Sequence, residues 1–127
     1  MARQGLWTAS STSKTLTETL ASVATIPCGN MDRLHVSLET SNHSALDQFV
    51  IQIKPHASAS FQNAYATSGD FTTPAGILIG TSSDLTALAE NSSGWFILDV
   101  RALYQVNLQA AQAAGATTTL TIYVGGN

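Results

Sequence analysis

The sequence predicts an all-β domain: an antiparallel β-sandwich, jelly-roll-like, of about eight strands with at most a short helical turn. Three observations carry this. Apolar and polar residues alternate with period two over Arg33 to Thr40, Asp47 to Lys54, Tyr104 to Gln109 and Thr119 to Val124. Turn signals rich in Gly, Pro, Asn and Ser recur about every 8 to 12 residues between these runs. The length of 127 residues suits one domain with a buried core, and no internal repeat or second domain is visible.

Taken in order, residues 1–13 read as an N-terminal arm, and residues 14–127 as the single sandwich domain. The arm is polar and small apart from Leu6 and Trp7. These two are the candidate partner interface, an anchor on a neighbouring subunit, because a buried aromatic of this size dominates interface energetics; the alternative is that Trp7 folds back onto its own domain. From Ser13 to Pro27 the spacing of Leu16 and Leu20 allows a helix, but the Thr content with Val23 and Ile26 favours strand. Pro27 and Cys28-Gly29-Asn30 then turn the chain. In Arg33 to Thr40, Leu34, Val36 and Leu38 face in, while Arg33, His35, Ser37 and Glu39 face out. In Asp47 to Lys54, Phe49, Ile51 and Ile53 share one face, and Val50, Gln52 and Lys54 the other. Pro55 ends that strand or bends it.

Ala57 to Tyr65 reads as a weaker strand anchored by Phe61 and Tyr65. Thr67 to Gly80 is a loop with a short apolar segment at Ile77 to Ile79. Ser83 to Glu90 is the expected helical turn, with Ser83 or Asp84 as cap and Leu85 and Leu88 three apart. Trp95 to Val100 is nearly all apolar, the pattern of a strand covered on both faces or crossing the middle of a sandwich. Tyr104, Val106 and Leu108 alternate with Gln105, Asn107 and Gln109, as do Leu120, Ile122 and Val124 with Thr119, Thr121 and Tyr123.

Charged residues make up 10% of the chain, against about 25% in typical domains. Roughly a quarter of it is Ser or Thr, so its polar surface is mostly hydroxyl. Weak charge removes the repulsion that keeps free proteins apart, which suits a subunit of an assembly and equally an extracytoplasmic β-domain. The net charge is −3 and the five basic residues are spread singly. No basic stripe exists to neutralise phosphates, so nucleic acid is not expected as a partner. No apolar run approaches the about 18 residues of a membrane span, and no membrane partner is expected. The N-terminal stretch lacks an apolar core of signal-peptide length. Cys28 is the single cysteine, which fits synthesis in a reducing cytoplasm.

No chemistry is indicated. His35, His43 and His56 fall on separate elements and the five Asp are scattered, so no metal or other cofactor is expected. Asp70 and Asp84, in loops, suit bonds to their own backbone. No nucleophile elbow, phosphate-binding Gly loop or paired carboxylate occurs, and Cys28 after Pro27 reads as an inert buried thiol. No catalytic residue is assigned, and the protein is expected not to be an enzyme. Asn42-His43-Ser44 and Asn91-Ser92-Ser93 match the glycosylation acceptor pattern, which arises by chance in Ser/Thr-rich chains. Trp7, Phe61, Tyr65, Trp95, Tyr104 and Tyr123 keep a carbohydrate-binding module as the alternative of another class.

The C-terminal third has a cadence: Gly94-Trp95 into an apolar strand, Leu98-Asp99-Val100, then Tyr104-Gln105-Val106-Asn107-Leu108-Gln109-Ala110, an Ala/Gly-rich loop, and Thr119-Leu120-Thr121-Ile122-Tyr123-Val124. It resembles small β-sandwich virion proteins of tailed bacteriophages, the nearest group being capsid decoration, or cement, proteins. The likeness covers residues 94–124, more weakly 47–54 and 70–80, and carries no catalytic motif. It implies a protein on the outside of an icosahedral head, bridging and stabilising major capsid subunits after synthesis in the host cytoplasm. Its partners would be the major capsid protein or other virion subunits, together with copies of itself in a homo-oligomer. A neck, tail or fibre component would share the same features.

Overall fold

The computed structural model describes residues 10–29, 31–41, 46–65, 78–82, 85, 92–115 and 118–126. Among them are nine strands and no helix: β1 (Ser10–Thr15), β2 (Ala21–Pro27), β3 (Arg33–Ser41), β4 (Leu46–Lys54), β5 (Gln62–Tyr65), β6 (Leu78–Thr81), β7 (Ser93–Asp99), β8 (Gln105–Gln112) and β9 (Thr119–Gly126). They form a five-stranded sheet, β1-β9-β3-β7-β6, and a four-stranded sheet, β2-β8-β4-β5. Every pairing is antiparallel.

The pairings are nested. β1 pairs with β9, β2 with β8, β3 with β7 and β4 with β5. The chain thus behaves as one long antiparallel ribbon rolled so that successive pairs fall on alternate sheets, which is the jelly-roll arrangement. β6 is added outside β7 as the fifth strand of the larger sheet.

The core lies between the layers and follows from the period-two pattern. Leu34, Val36, Leu38, Phe96, Leu98, Leu120 and Ile122 point in from the five-stranded sheet. Phe49, Ile51, Ile53, Val106, Leu108 and Ala110 point in from the four-stranded sheet. Phe49 and Phe96 meet across the layers with centroids 6.2 Å apart and rings inclined at 52°. The Ala/Gly-rich loop after β8 includes Gly115 at φ 75°, the left-handed region that glycine enters freely.

Several expectations are corrected. Ser10 to Ser13, read as part of the arm, pair with Val124 to Thr121 as β1, so they belong to the sandwich. Residues 1–9, with Leu6 and Trp7, lie outside the described residues. The stretch Ser13 to Pro27 is two strands on different sheets, not one. Leu16 is buried at the crossing, and the Thr17 hydroxyl accepts from the Thr19 amide at 3.3 Å to make the turn. The weak strand over Ala57 to Tyr65 contracts to Gln62–Tyr65. The helical turn over Ser83 to Glu90 lies outside the described residues apart from Leu85, which is buried in the core.

β7 is also not covered on both faces. Phe96 and Leu98 are buried, but Trp95 is exposed and Ile97 half-exposed on the outer side. The run is apolar because the outward face of this sheet is itself partly apolar.

Candidate functional site

Among the described residues no three His, Cys, Asp or Glu side chains gather where they could hold a metal ion. The informative chemistry lies on the two outward sheet faces.

On the five-stranded sheet, register places one row across the strands. Ser11 stands opposite Tyr123, Tyr123 opposite Ser37, and Ser37 opposite Trp95. Tyr123, Ser37 and Trp95 alternate with inward residues, so their side chains point outward. Trp95 is 44% and Tyr123 45% exposed. Two strand spacings, about 9.6 Å, separate the two aromatic positions, with small Ser37 between them. An open depression of about 360 Å³ runs beside Trp95, lined by His35, Ser37 and Ile97.

The backbone of Trp95 is clamped. Its amide donates to Ser82 Oγ at 2.9 Å, and its carbonyl accepts from the Ser82 amide at 2.9 Å and from Thr81 Oγ1 at 3.2 Å. The indole lies over Gly80, where a Cβ would come within 3.3 Å of the ring. Glycine on the neighbouring strand therefore lets the ring settle against the sheet. The Tyr123 hydroxyl is bonded to the Glu39 carboxylate, and that bond pushes its pKa up. Burial, and secondarily the charge of Arg33, holds His35 below its ordinary value, so the imidazole beside Trp95 favours the neutral form. At one end of this face Asp32, Arg33, Ile79, Asp99 and Arg101 line a second depression of about 280 Å³. There Arg101 Nη2 donates to Asp99 Oδ2 at 2.6 Å, and this bond holds the Asp99 carboxyl down at about 2.

The outward face of the four-stranded sheet is chemically different. Ser22 Oγ and Thr25 Oγ1 donate to Asn107 Oδ1 at 2.6 and 2.9 Å. Asn107 Nδ2 donates to Gln52 Oε1 at 3.0 Å, and Gln52 Nε2 donates to Asn63 Oδ1 at 3.0 Å. One continuous row of side-chain hydrogen bonds thus crosses β2, β8, β4 and β5. At its side, Lys54 Nζ lies 5.3 Å from the Phe61 ring centroid and 5.8 Å from that of Tyr104, itself 43% exposed. Such cation–π contacts fix the ammonium over the rings.

The structure distributes the residues singled out in the sequence as follows. Trp95 and Tyr123 share one outward face, while Tyr104 and Phe61 gather around Lys54 on the other sheet. Cys28 is buried, and burial pushes its thiol up to about 11. His35 is half-exposed on β3 and His56 is exposed just beyond β4. His43, Asp70, Asp84, Asn42 and Asn91 lie outside the described residues. The amide row went unrecognised in the sequence. Gln52 and Asn107 were legible as alternating with inward residues, but only the register of β2, β8, β4 and β5 joins them to Ser22, Thr25 and Asn63.

No family model and no curated protein matches the chain. Several solved structures are similar. AlgX of Pseudomonas aeruginosa aligns with a TM-score of 0.54 at 10% identity, over 98% of this chain and 27% of that one. The SPBc2 prophage-derived protein YomS aligns with a TM-score of 0.48 at 14% identity, over 91% of this chain and 94% of that one. A carbohydrate-binding module of endoglucanase Cel5A from Eubacterium cellulosolvens aligns with a TM-score of 0.42 at 12% identity, over 92% of each chain. At these identities the AlgX likeness shows the β-sandwich fold and no more.

Proposed function

We propose that the protein is a non-enzymatic structural subunit of a tailed-phage virion, a decoration or cement protein on the outside of the capsid. It binds neighbouring virion subunits through the outward face of its five-stranded sheet. The observation that carries the docking face is the row Tyr123–Ser37–Trp95. Two large aromatic side chains stand exposed on one sheet, and Trp95 is held from below by Gly80 and by the Ser82 hydrogen bonds. Aromatics in this setting are the side chains that anchor interfaces. The virion assignment rests on the sequence resemblance, and the hydroxyl-rich, weakly charged composition supports it. Leu6 and Trp7 precede β1, the edge strand of this same sheet, and are proposed as a second anchor on the same partner.

Quantitative mass spectrometry of purified particles of the encoding phage tests the assignment. Hundreds of copies per particle are expected; six or twelve would move the protein to the neck or tail. Absence from particles would overturn the virion reading. Trp95→Ala tests the face. It is expected to weaken attachment to particles by about 2 kcal/mol, about thirtyfold in affinity, with no change in melting temperature.

A further inference from the structure

The row of amides on the four-stranded sheet is not used by the docking face and has a polarity of its own. Its amides are oriented in one sense: Asn107 and Gln52 each donate toward β5, where Asn63 accepts. Asn107 Oδ1 has both lone pairs occupied by Ser22 and Thr25. Counting the remaining valences among the described residues, Asn107 keeps one N–H, Gln52 one N–H and one lone pair, and Asn63 two N–H and one lone pair. Free donors therefore concentrate at the β5 edge.

We propose that this face binds a neutral oligosaccharide laid across the strands, with the exposed ring of Tyr104 as a stacking surface beside the row. The chemistry is complementary. A sugar hydroxyl both donates and accepts, and neighbouring hydroxyls on a ring match an amide that offers an acceptor and a donor side by side. The amides are already held by one another, so a ligand does not have to immobilise them, which lowers the entropic cost of binding. Along β4 from Gln48 to Lys54, and along β8 from Gln105 to Gln109, no outward residue is a carboxylate. Lys54 is the only cation on those stretches, and it is engaged by two rings. Nothing in that surface selects a charged polymer. Asn107 is only 6% exposed, so the accessible amides are those of Gln52 and Asn63, with the Tyr104 ring beside them. The proposal does not rest on the virion reading, and its variants lie on the opposite sheet from Trp95.

The test is a microarray of neutral and acidic oligosaccharides probed with the full-length protein, followed by calorimetry with the best-bound neutral oligosaccharide. Wild type is expected to bind neutral features, with affinity unchanged between about 0.05 and 0.5 M salt because no ion pair is screened. Gln52→Ala and Tyr104→Ala are each expected to weaken binding about tenfold or more, and Trp95→Ala to leave it within about twofold. Asn63→Ala, an exposed edge-strand residue, takes the place of Gln52→Ala if the latter loses its folded circular dichroism. Three results would each overturn the proposal: no neutral feature bound by wild type, binding confined to acidic glycans and abolished by salt, or binding lost in Trp95→Ala yet kept in the amide variants.

Discussion

Replacing Asn107 by alanine probes the amide row directly. Asn107 is 6% exposed on the central strand β8 and engages three side-chain partners, Ser22, Thr25 and Gln52. A net hydrogen bond contributes about 1 kcal/mol, so three give about 3 kcal/mol as an upper figure. Ser22 and Thr25 are exposed and can turn to water once their acceptor is gone. The expected loss is therefore about 2 kcal/mol. That is a large share of the about 5–15 kcal/mol that a domain of this kind has in total.

Asn107→Asp sharpens the argument. It keeps the one acceptor oxygen that Ser22 and Thr25 share and replaces the donor to Gln52 by a second acceptor oxygen. The Gln52 and Asn63 amides can each turn over, so that the chain of bonds runs the other way. The aspartate variant should then lose about 1 kcal/mol, half as much as alanine. Equilibrium unfolding in urea reads both, with an m-value of about 2 kcal/mol/M placing the alanine midpoint about 1 M below wild type. An alanine variant within about 0.5 kcal/mol of wild type would refute the reasoning. So would an aspartate variant as damaged as the alanine one.

Phe96→Ala removes a fully buried ring that meets Phe49 between the sheets, and should destabilise by about 3–5 kcal/mol in the same assay. Cys28, buried and pushed up to about 11, should react with iodoacetamide at pH 8 at least about tenfold more slowly in the folded protein than in urea. Because its folded value lies above the ordinary 9.0, it also contributes stability that is complete below pH 9.0 and lost as the pH rises through about 11. Asp99 works in the opposite direction. Its folded value is held down by Arg101, so its contribution is present above the ordinary 3.8 and lost as the pH falls through about 2. Arg101→Ala should therefore be less stable than wild type at pH 6, by a small margin because the pair is exposed, with the difference closing between pH 3.8 and about 2.

Alternation alone made β3, β4, β8 and β9 legible, because a half-buried strand must put every second side chain into the core. Leu34, Val36 and Leu38, and Phe49, Ile51 and Ile53, are buried as their spacing demands. The same rule failed at Trp95 to Val100. An apolar outward residue and an apolar inward one look alike in sequence, and only the position of Gly80 beside Trp95 shows why an indole can lie on the outside there. It failed differently at Ser10 to Thr15. That run contains no apolar residue, and its strand exists because β9 offers a partner along its whole length.

The sequence by itself determined the fold class, the weak charge and the inward faces of the main strands, since each depends on local composition or on period. Tertiary structure alone decided the nested strand order, the edge position of β1 and the joining of Ser22, Thr25, Asn107, Gln52 and Asn63 into one row. The reason is physical: hydrogen bonding between strands couples residues as far apart in the chain as Ser22 and Asn107, and no local pattern encodes which strands will pair or in what register.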